Sequence, residues 1–130
     1  MRGPREQFLA KLKQEFYPRL REAGFKWSGQ DFLRVRGEVI NTINIQGARH
    51  GGQCCVNLGL HFTFLPPNWS ESPKPVDEWK EVDCEFRCRL SEKPRLDRWW
   101  EYGTSPEQGE TEARKLIQTY FAHGEPMFQR

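Results

Sequence analysis

The most regular hydrophobic pattern in the chain is a period-two alternation between Val39 and Phe64. Apolar residues at every second position over this length predict half-buried β-strands. The segment "GARHGGQ" at 47–53 interrupts the alternation with three glycines, which predicts a hairpin loop between two strands. The apolar positions of the second strand are Cys54, Val56, Leu58, Leu60, Phe62 and Phe64.

Two more segments alternate in the same way. In "DFLRVRG" at 31–37 the pattern assigns Leu33 and Val35 to the apolar side and Arg34 and Arg36 to the polar side. "EVDCEFRCRL" at 81–90 predicts a last strand that buries Val82, Cys84, Phe86, Cys88 and Leu90. The chain therefore contains about four predicted strands.

Helical periodicity appears at both ends of the chain. Phe8, Leu12, Phe16 and Leu20 form one apolar stripe, Pro18 predicts a kink near Phe16 or Tyr17, and Gly24 suits a left-handed C-cap. In the second helix Ser105 is the predicted N-cap, Pro106 takes the first helical position and Gln108 fits a capping box. Gly124 and Pro126 are expected to end that helix.

The order helix, four strands, helix predicts a two-layer α+β fold. We expect an antiparallel sheet with the N- and C-terminal helices packed on one face, because only one side of the strands is apolar. At 130 residues the chain fits a single domain, 1–130. The segment at about 65–81 contains four prolines and two tryptophans, and we interpret it as a long surface loop.

Composition and charge indicate where the protein is located more clearly than what it does. No run approaches the roughly 20 apolar residues of a membrane helix, and the charged N-terminus lacks a signal-peptide pattern. We therefore expect a cytoplasmic protein that does not bind membranes. The net charge of +2 is unevenly spread, with +5 in residues 1–50 and −3 in residues 51–130. Such a dipolar chain can steer a charged partner, although a solvated surface explains the same distribution.

The four cysteines do not form a metal-binding pattern. Cys84 and Cys88 lie four residues apart on a predicted strand, which separates them by about 13 Å. Zinc needs both sulfurs within about 2.3 Å of one ion. Because Cys54, Cys84 and Cys88 are in phase with apolar neighbours, we interpret them as small buried hydrophobic residues and expect no metal or cofactor.

The polar side of the predicted sheet is the first candidate for a binding surface. It carries amides that both donate and accept hydrogen bonds, bordered by arginines, and this combination suits a polar ligand or a protein partner. An ordinary solvated sheet face is the alternative. The tryptophans of the long loop are candidate anchors for a partner. The candidate binding residues are Arg34, Arg36, Asn44, Gln46, Asn57, His61, Glu85, Arg87, Trp69 and Trp79.

The sequence also contains residues that two other functions would use. A hydrolase would use His61 as a general base oriented by Glu85, but no nucleophile or phosphate-binding glycine loop accompanies them. A nucleic-acid-associated protein would use Lys26, Arg34, Arg36 and Arg49, with Trp27 and Phe32 for stacking. A salt-bridged surface accounts for the same basic residues.

Several segments together resemble a group of bacterial proteins known as the domain-of-unknown-function 4304 family. The matching segments are "FYPRLREAGFKWSGQDFLR", "VINTINIQGARHGGQCCVNLGLHF", "CEFRCRL" and "RWW". The resemblance implies a small cytosolic α+β domain with no established activity. Small bacterial domains of this kind often neutralise a toxin or bind another protein. We therefore expect a non-enzymatic protein-binding domain, in its most concrete form an immunity protein that neutralises a partner toxin.

Overall fold

The N-terminal helical segment changes its hydrogen-bonding pattern just before Pro18. The computed structural model describes residues 3–64, 84, 86–93 and 98–128. Helix α1 (Pro4–Lys11) continues into a π-helical turn (Leu12–Phe16) and then into α2 (Tyr17–Glu22). Pro18 lies in the first turn of α2, where its missing N–H group is least costly. The predicted irregularity near Phe16 is therefore confirmed.

Gly24 ends this segment as predicted. Its φ of 100° lies in the left-handed region, which a residue with a Cβ rarely adopts. The N–H of Phe25 donates to the carbonyl of Leu20 at 2.9 Å, and the N–H of Gly24 donates to that of Arg21 at 3.0 Å. These two bonds form a Schellman motif, which turns the chain into the first strand.

The C-terminal helix begins at the predicted N-cap and ends later than predicted, and the Gln108 side chain donates to the carbonyl of Glu101 and to Glu112 instead of closing the predicted capping box. The Ser105 side chain accepts a hydrogen bond from the N–H of Gln108 at 3.1 Å, and α3 spans Pro106–Thr119. The chain then continues through a π-helical turn (Tyr120–Gly124) into α4 (Glu125–Phe128). The prediction that Gly124 ends the helix is wrong. Gly124 is required by packing, because a Cβ there would lie 2.7 Å from the ring of Tyr120.

The sheet is antiparallel and contains six strands in the described residues, two more than predicted. Its order is β1-β2-β3-β4-β5, with β6 also pairing with β4. The additional strands are the short β1 and β6. The strands are β1 (Lys26–Ser28), β2 (Asp31–Arg36), β3 (Val39–Gly47), β4 (Gln53–Phe62), β5 (Phe86–Arg89) and β6 (Trp100–Glu101).

The helices cover one face of this sheet, which confirms the α+β fold with the helix layer on one side. We call it the helix face and the opposite side the outer face. Gly109 brings α1 and α3 close together, because a Cβ at this position would collide with the carbonyl oxygen of Pro4. The helix-face core residues of the strands are Phe32, Ile43, Ile45, Cys54, Val56, Leu58 and Trp100. Among the described residues, no helix has the length and apolar character needed to cross a membrane.

Strand β2 has the opposite phase to the one predicted. Phe32 pairs with Ile43, and this register turns Phe32 and Arg34 toward the helices and Leu33 and Val35 toward the outer face. A shift of one residue moves every side chain of a strand to the other face. The large Phe32 ring decides the phase, since it packs edge-on against Tyr17 with ring centroids 4.9 Å apart.

Candidate functional site

Four strands bring polar residues into one row on the outer face. The register aligns Asp31 of β2 with Asn44 of β3, Asn44 with Asn57 of β4, and Asn57 with Arg89 of β5. The Asn44 amide donates to Oδ1 of Asp31 at 2.9 Å, and the Asn57 amide donates to Oδ1 of Asn44 at 3.1 Å. Directly opposite residues on one face are close enough for such cross-strand pairs.

Gln46 extends this row along β3. Nδ2 of Asn57 also donates to Oε1 of Gln46 at 2.9 Å, so one amide bridges two acceptors. We call Asp31, Asn44, Asn57 and Gln46 the amide row. Among the described residues, Oδ1 of Asn57 and Nε2 of Gln46 have no hydrogen-bond partner. The row therefore holds one acceptor and one donor in fixed positions at the surface.

Cationic side chains flank the amide row on the outer face. The guanidinium of Arg89 lies 5.1 Å from the centroid of the Trp99 ring, within the range of a cation–π contact. Arg87, opposite Gly59, is exposed, and in the described part of the chain its side chain has no ion-pair or hydrogen-bond partner. An uncompensated arginine beside prearranged amides can bind a carboxylate or a carbonyl group.

The other end of the outer face is covered, which corrects the expectation that this whole side is bare. Ile40, Thr42 and His61 are all buried. Cys84 lies over this end, with its Sγ 3.4 Å from Oγ1 of Thr42. Gly59 makes room for Cys84, since a Cβ at this position would lie 2.8 Å from that sulfur. Among the described residues of the amide row, Gln46 is exposed and Asn44 and Asn57 are half-buried, whereas Cys55, directly opposite Gln46, is buried.

His61 is therefore a poor candidate for binding or catalysis. Its side chain is 1% exposed and faces the covered end of the sheet opposite Ile40. A general base must reach its substrate within hydrogen-bond distance, and burial prevents that. Glu85, the proposed orienting carboxylate, lies outside the described residues, as do Trp69, Trp79 and the predicted loop at 65–81.

Arg34 is on the helix face, so its predicted place on the polar surface is wrong. It is 1% exposed, and its guanidinium donates to Oδ1 of Asn41 at 3.0 Å and to the carbonyl of Ala23 at 3.1 Å. It also forms an ion pair with Glu125 at 2.7 Å. The other carboxylate oxygen of Glu125 accepts a hydrogen bond from Tyr120, and burial together with this bond raises the pKa of the Tyr120 phenol.

The basic residues of the N-terminal half do not gather into one patch. Arg36 is exposed but lies on the helix face, opposite Val39. Lys26 belongs to the outer face at β1, and Arg49 lies in the exposed loop between β3 and β4. With Arg34 buried, these side chains point to different surfaces. The structure thus separates the residues on which the alternative hypothesis of a nucleic-acid surface depended.

The cysteines were predicted correctly only in part. Cys54 and Cys84 are buried, as expected, and burial raises the pKa of the Cys54 thiol to about 12. Cys88 was expected to be buried but is exposed at the sheet edge, where its Sγ lies 3.1 Å from Sδ of Met127. Among the described residues, no cluster of three or more His, Cys, Asp or Glu side chains can hold a metal ion.

An exposed aromatic cluster was missed at the sequence level. Phe62, Phe64 and Phe86 were assigned to the core, yet Phe64 is 65% and Phe86 55% exposed. Phe64 stacks on Phe62 with centroids 5.4 Å apart, and Phe86 meets the Phe62 ring edge-on at 6.4 Å. A continuous alternation does not reveal where the helix layer stops, so it gave no signal for their exposure.

Two open clefts on the helices are separate from the amide row. One, of about 520 Å³, is lined by residues such as Gln7 and Lys13, and the other, of about 450 Å³, by residues such as Arg19 and Gln118. Neither is lined by His61 or by a residue of the amide row.

Comparison with known proteins identifies a family and no activity. No curated protein and no solved structure matches the chain. The family described as "Domain of unknown function (DUF4304)" matches residues 16–130, from the end of the first π-helical turn onwards. Because this match covers most of the sequence, the chain belongs to the DUF4304 family.

Proposed function

We propose that the domain is a non-enzymatic protein-binding module, and that its most concrete form is a cytoplasmic immunity protein that neutralises a partner toxin. The observation that carries this proposal is the amide row. Asp31, Asn44 and Asn57 are hydrogen-bonded one to the next across three strands, with Asn57 also bonded to Gln46. Residues that only solvate a sheet face do not need such an ordered network.

The network supports binding because it fixes its side chains before a partner arrives. Each amide of the row already has its rotamer set by a neighbour, so little side-chain entropy remains to be lost on association. The unbonded Oδ1 of Asn57 and Nε2 of Gln46 then present one acceptor and one donor to a partner's backbone or side chain. Arg87 adds a charge that strengthens and orients the contact.

The burial of His61 supports a role without catalysis. An immunity protein needs only to cover its toxin, and a stable polar surface with flanking charge is sufficient for that. The natural probe is the protein encoded by the gene next to that of the domain, because an immunity protein and its toxin are expected to be produced together.

The experiment measures rescue and affinity together. Cells that express the neighbouring gene product are tested for growth with and without the domain, and the affinity of the two purified proteins is measured by calorimetry. Gln46→Ala and Arg87→Glu should each weaken binding by about tenfold or more and reduce rescue, since both remove contacts at the row. Both residues are exposed, so the fold should be unaffected.

Matched controls lie on the helices. Gln118→Ala changes an exposed glutamine and Lys13→Glu reverses the charge of an exposed basic residue, each at one of the two clefts. They should leave rescue and affinity unchanged. If the controls abolish binding and the row variants do not, the partner binds at the helices. If the neighbouring protein is neither toxic nor bound, the immunity role is refuted.

A further inference from the structure

The smaller of the two clefts on the helices lies between the N-terminal helical segment and α3. Its volume of about 450 Å³ is within the range of about 300–1,000 Å³ that is typical of small-molecule sites. We call it the Arg19 cleft. The N-terminal segment contributes Glu15 and Arg19 to its lining, and α3 contributes Arg114, Ile117 and Gln118. Polar groups from two separate helical elements are thus brought to one concave surface.

An aromatic ring holds the Arg19 guanidinium in place at this cleft. The guanidinium carbon lies 3.7 Å from the centroid of the Phe121 ring, well within the range of a cation–π contact. The Phe121 ring in turn meets Phe16 and Tyr120 edge-on, with centroids 6.0 and 5.0 Å away. Stacking uses the flat face of a guanidinium and leaves the N–H groups at its edge available. Arg19 is therefore a donor whose position is set before a ligand arrives.

The charges around the Arg19 cleft leave one cation without a counterion. Glu110 forms ion pairs with Arg114 at 2.8 Å and with Lys11 at 3.3 Å, and Glu15 forms one with Lys11 at 3.8 Å. These two carboxylates balance the charges of Lys11 and Arg114. Arg19 is exposed, and within the part of the chain that the structure describes no carboxylate forms an ion pair with it. One positive charge is therefore in excess at the cleft, and it attracts an anion.

We infer that the Arg19 cleft binds a small organic carboxylate. A guanidinium matches the geometry of a carboxylate, with two parallel N–H···O bonds, and a single excess charge fits a monoanion better than a doubly charged phosphate. The exposed Gln118 amide, which has no hydrogen-bond partner among the described residues, can donate to the same group. Ile117 adds apolar surface for a hydrocarbon body. Because the cleft lies on the helices, away from the amide row, this inference is independent of the proposed function.

NMR titration of the full chain with isovalerate, a monocarboxylate with a branched apolar body, tests the inference. We expect saturable shifts of the Gln118 side-chain amide and of the Nε–H signals of Arg19 and Arg114, with a dissociation constant of roughly 1–10 mM. The side-chain amide of Gln14, at the other cleft, should not shift. Isovaleramide has the same shape without the charge and should bind about tenfold more weakly or less. Shifts that do not saturate, equal binding of isovaleramide, or tighter binding of inorganic phosphate would overturn the inference.

Two substitutions of Arg19 and one control distinguish this site from a general attraction of anions to the helices. Arg19→Gln should weaken isovalerate binding by about tenfold, and Arg19→Lys by about fivefold, because lysine keeps the charge but lacks the planar, forked donor set. Lys13→Gln is the matched control, since Lys13 is an exposed cation at the other cleft with no ion-pair partner among the described residues. It should leave the affinity unchanged. If Lys13→Gln weakens binding as much as Arg19→Gln, or if Arg19→Gln has no effect, the carboxylate does not bind at the Arg19 cleft.

Discussion

The ion pair between Arg34 and Glu125 allows a quantitative test of the claim that Arg34 is structural. The Arg34 guanidinium is buried between β2, the end of α2 and α4, and Glu125 is the only carboxylate among the described residues that forms an ion pair with it. Glu125→Leu removes that carboxylate and leaves the arginine charge buried. Loss of one partner of a buried pair typically costs about 3–5 kcal/mol.

The structure places the expected cost at the lower end of that range. The Glu125 side chain is 21% exposed, so water can reach part of the site after the substitution. Arg34 also keeps its hydrogen bonds to Asn41 and Ala23. We therefore expect Glu125→Leu to reduce the free energy of unfolding by about 3 kcal/mol, which is a large share of the about 5–15 kcal/mol typical of a whole domain.

Urea unfolding of a double-mutant cycle measures this effect. Arg34→Met alone should cost about 2 kcal/mol, because it leaves Glu125 with its hydrogen bond from Tyr120. The double variant should cost no more than Glu125→Leu alone, since no unpaired charge remains, and the coupling energy should be about 2 kcal/mol. By thermal unfolding, Glu125→Leu should lower Tm by about 10 °C.

Two results would refute this reasoning. If Glu125→Leu and Arg34→Met change the free energy of unfolding by less than about 0.5 kcal/mol, the pair is not a buried structural contact. If Arg34→Met instead leaves stability intact and abolishes binding of the neighbouring gene product, Arg34 belongs to the binding surface, as the sequence pattern predicts.

Further predictions concern the covered end of the outer face and the buried thiol and phenols. Gly59→Ala should destabilise the fold by about 2 kcal/mol in urea unfolding, because the new Cβ would collide with Thr42 and Cys84, and Thr42→Ala should recover part of that loss; no loss would mean that Cys84 does not pack there. Stability should fall as the pH rises from about 9 toward 12, because burial raises the pKa of Cys54 to about 12 and the unfolded thiol ionises first. The pKa values of Tyr17 and Tyr120 are also raised, so these phenols contribute to the same loss of stability. Cys54→Ala should make the free energy of unfolding depend less steeply on pH. Ellman's reagent should modify Cys88 quickly in the folded chain and Cys54, Cys55 and Cys84 only after unfolding; rapid reaction of more than one thiol would contradict the burial described above.

The fold class could be predicted from local patterns because each signal depended on neighbouring residues. Residues only a few positions apart produce each of these signals, which are the alternation of β3 and β4, the Ser105 cap and the Gly24 turn. Strands as short as β1 and β6 contain too few residues for an alternation to be recognised, which explains why the sheet has more strands than predicted.

The phase of β2 could not be predicted because the partner of Arg34 is distant in sequence. Glu125 lies 91 positions away, and no residue close to Arg34 in the sequence indicates this ion pair. One signal was present. Asn41 interrupts the apolar side of β3, and in the structure it is directly opposite Arg34 and hydrogen-bonded to it. A polar exception on an apolar face can thus mark a buried charge on the neighbouring strand.

The candidate site was predicted only in part, because some of its contacts also join residues that are distant in sequence. Asn44, Gln46, Asn57 and Arg87 were correctly assigned to one side of the sheet, because the alternation of β3 and β4 fixed their face. The sequence does not show that Cys84 folds over the other end of that face. That contact depends on the space left by Gly59, and His61 is buried at the same covered end.

The most direct test of a partner on the amide row is an NMR titration of the folded domain with the neighbouring gene product. The side-chain amide signals of Asn44, Gln46 and Asn57 report on the row, and those of Gln14 and Gln118 report on the helix clefts. We predict that the first set shifts on binding and that the second does not. Shifts confined to the helix signals, with the row unchanged in the bound state, would contradict the account.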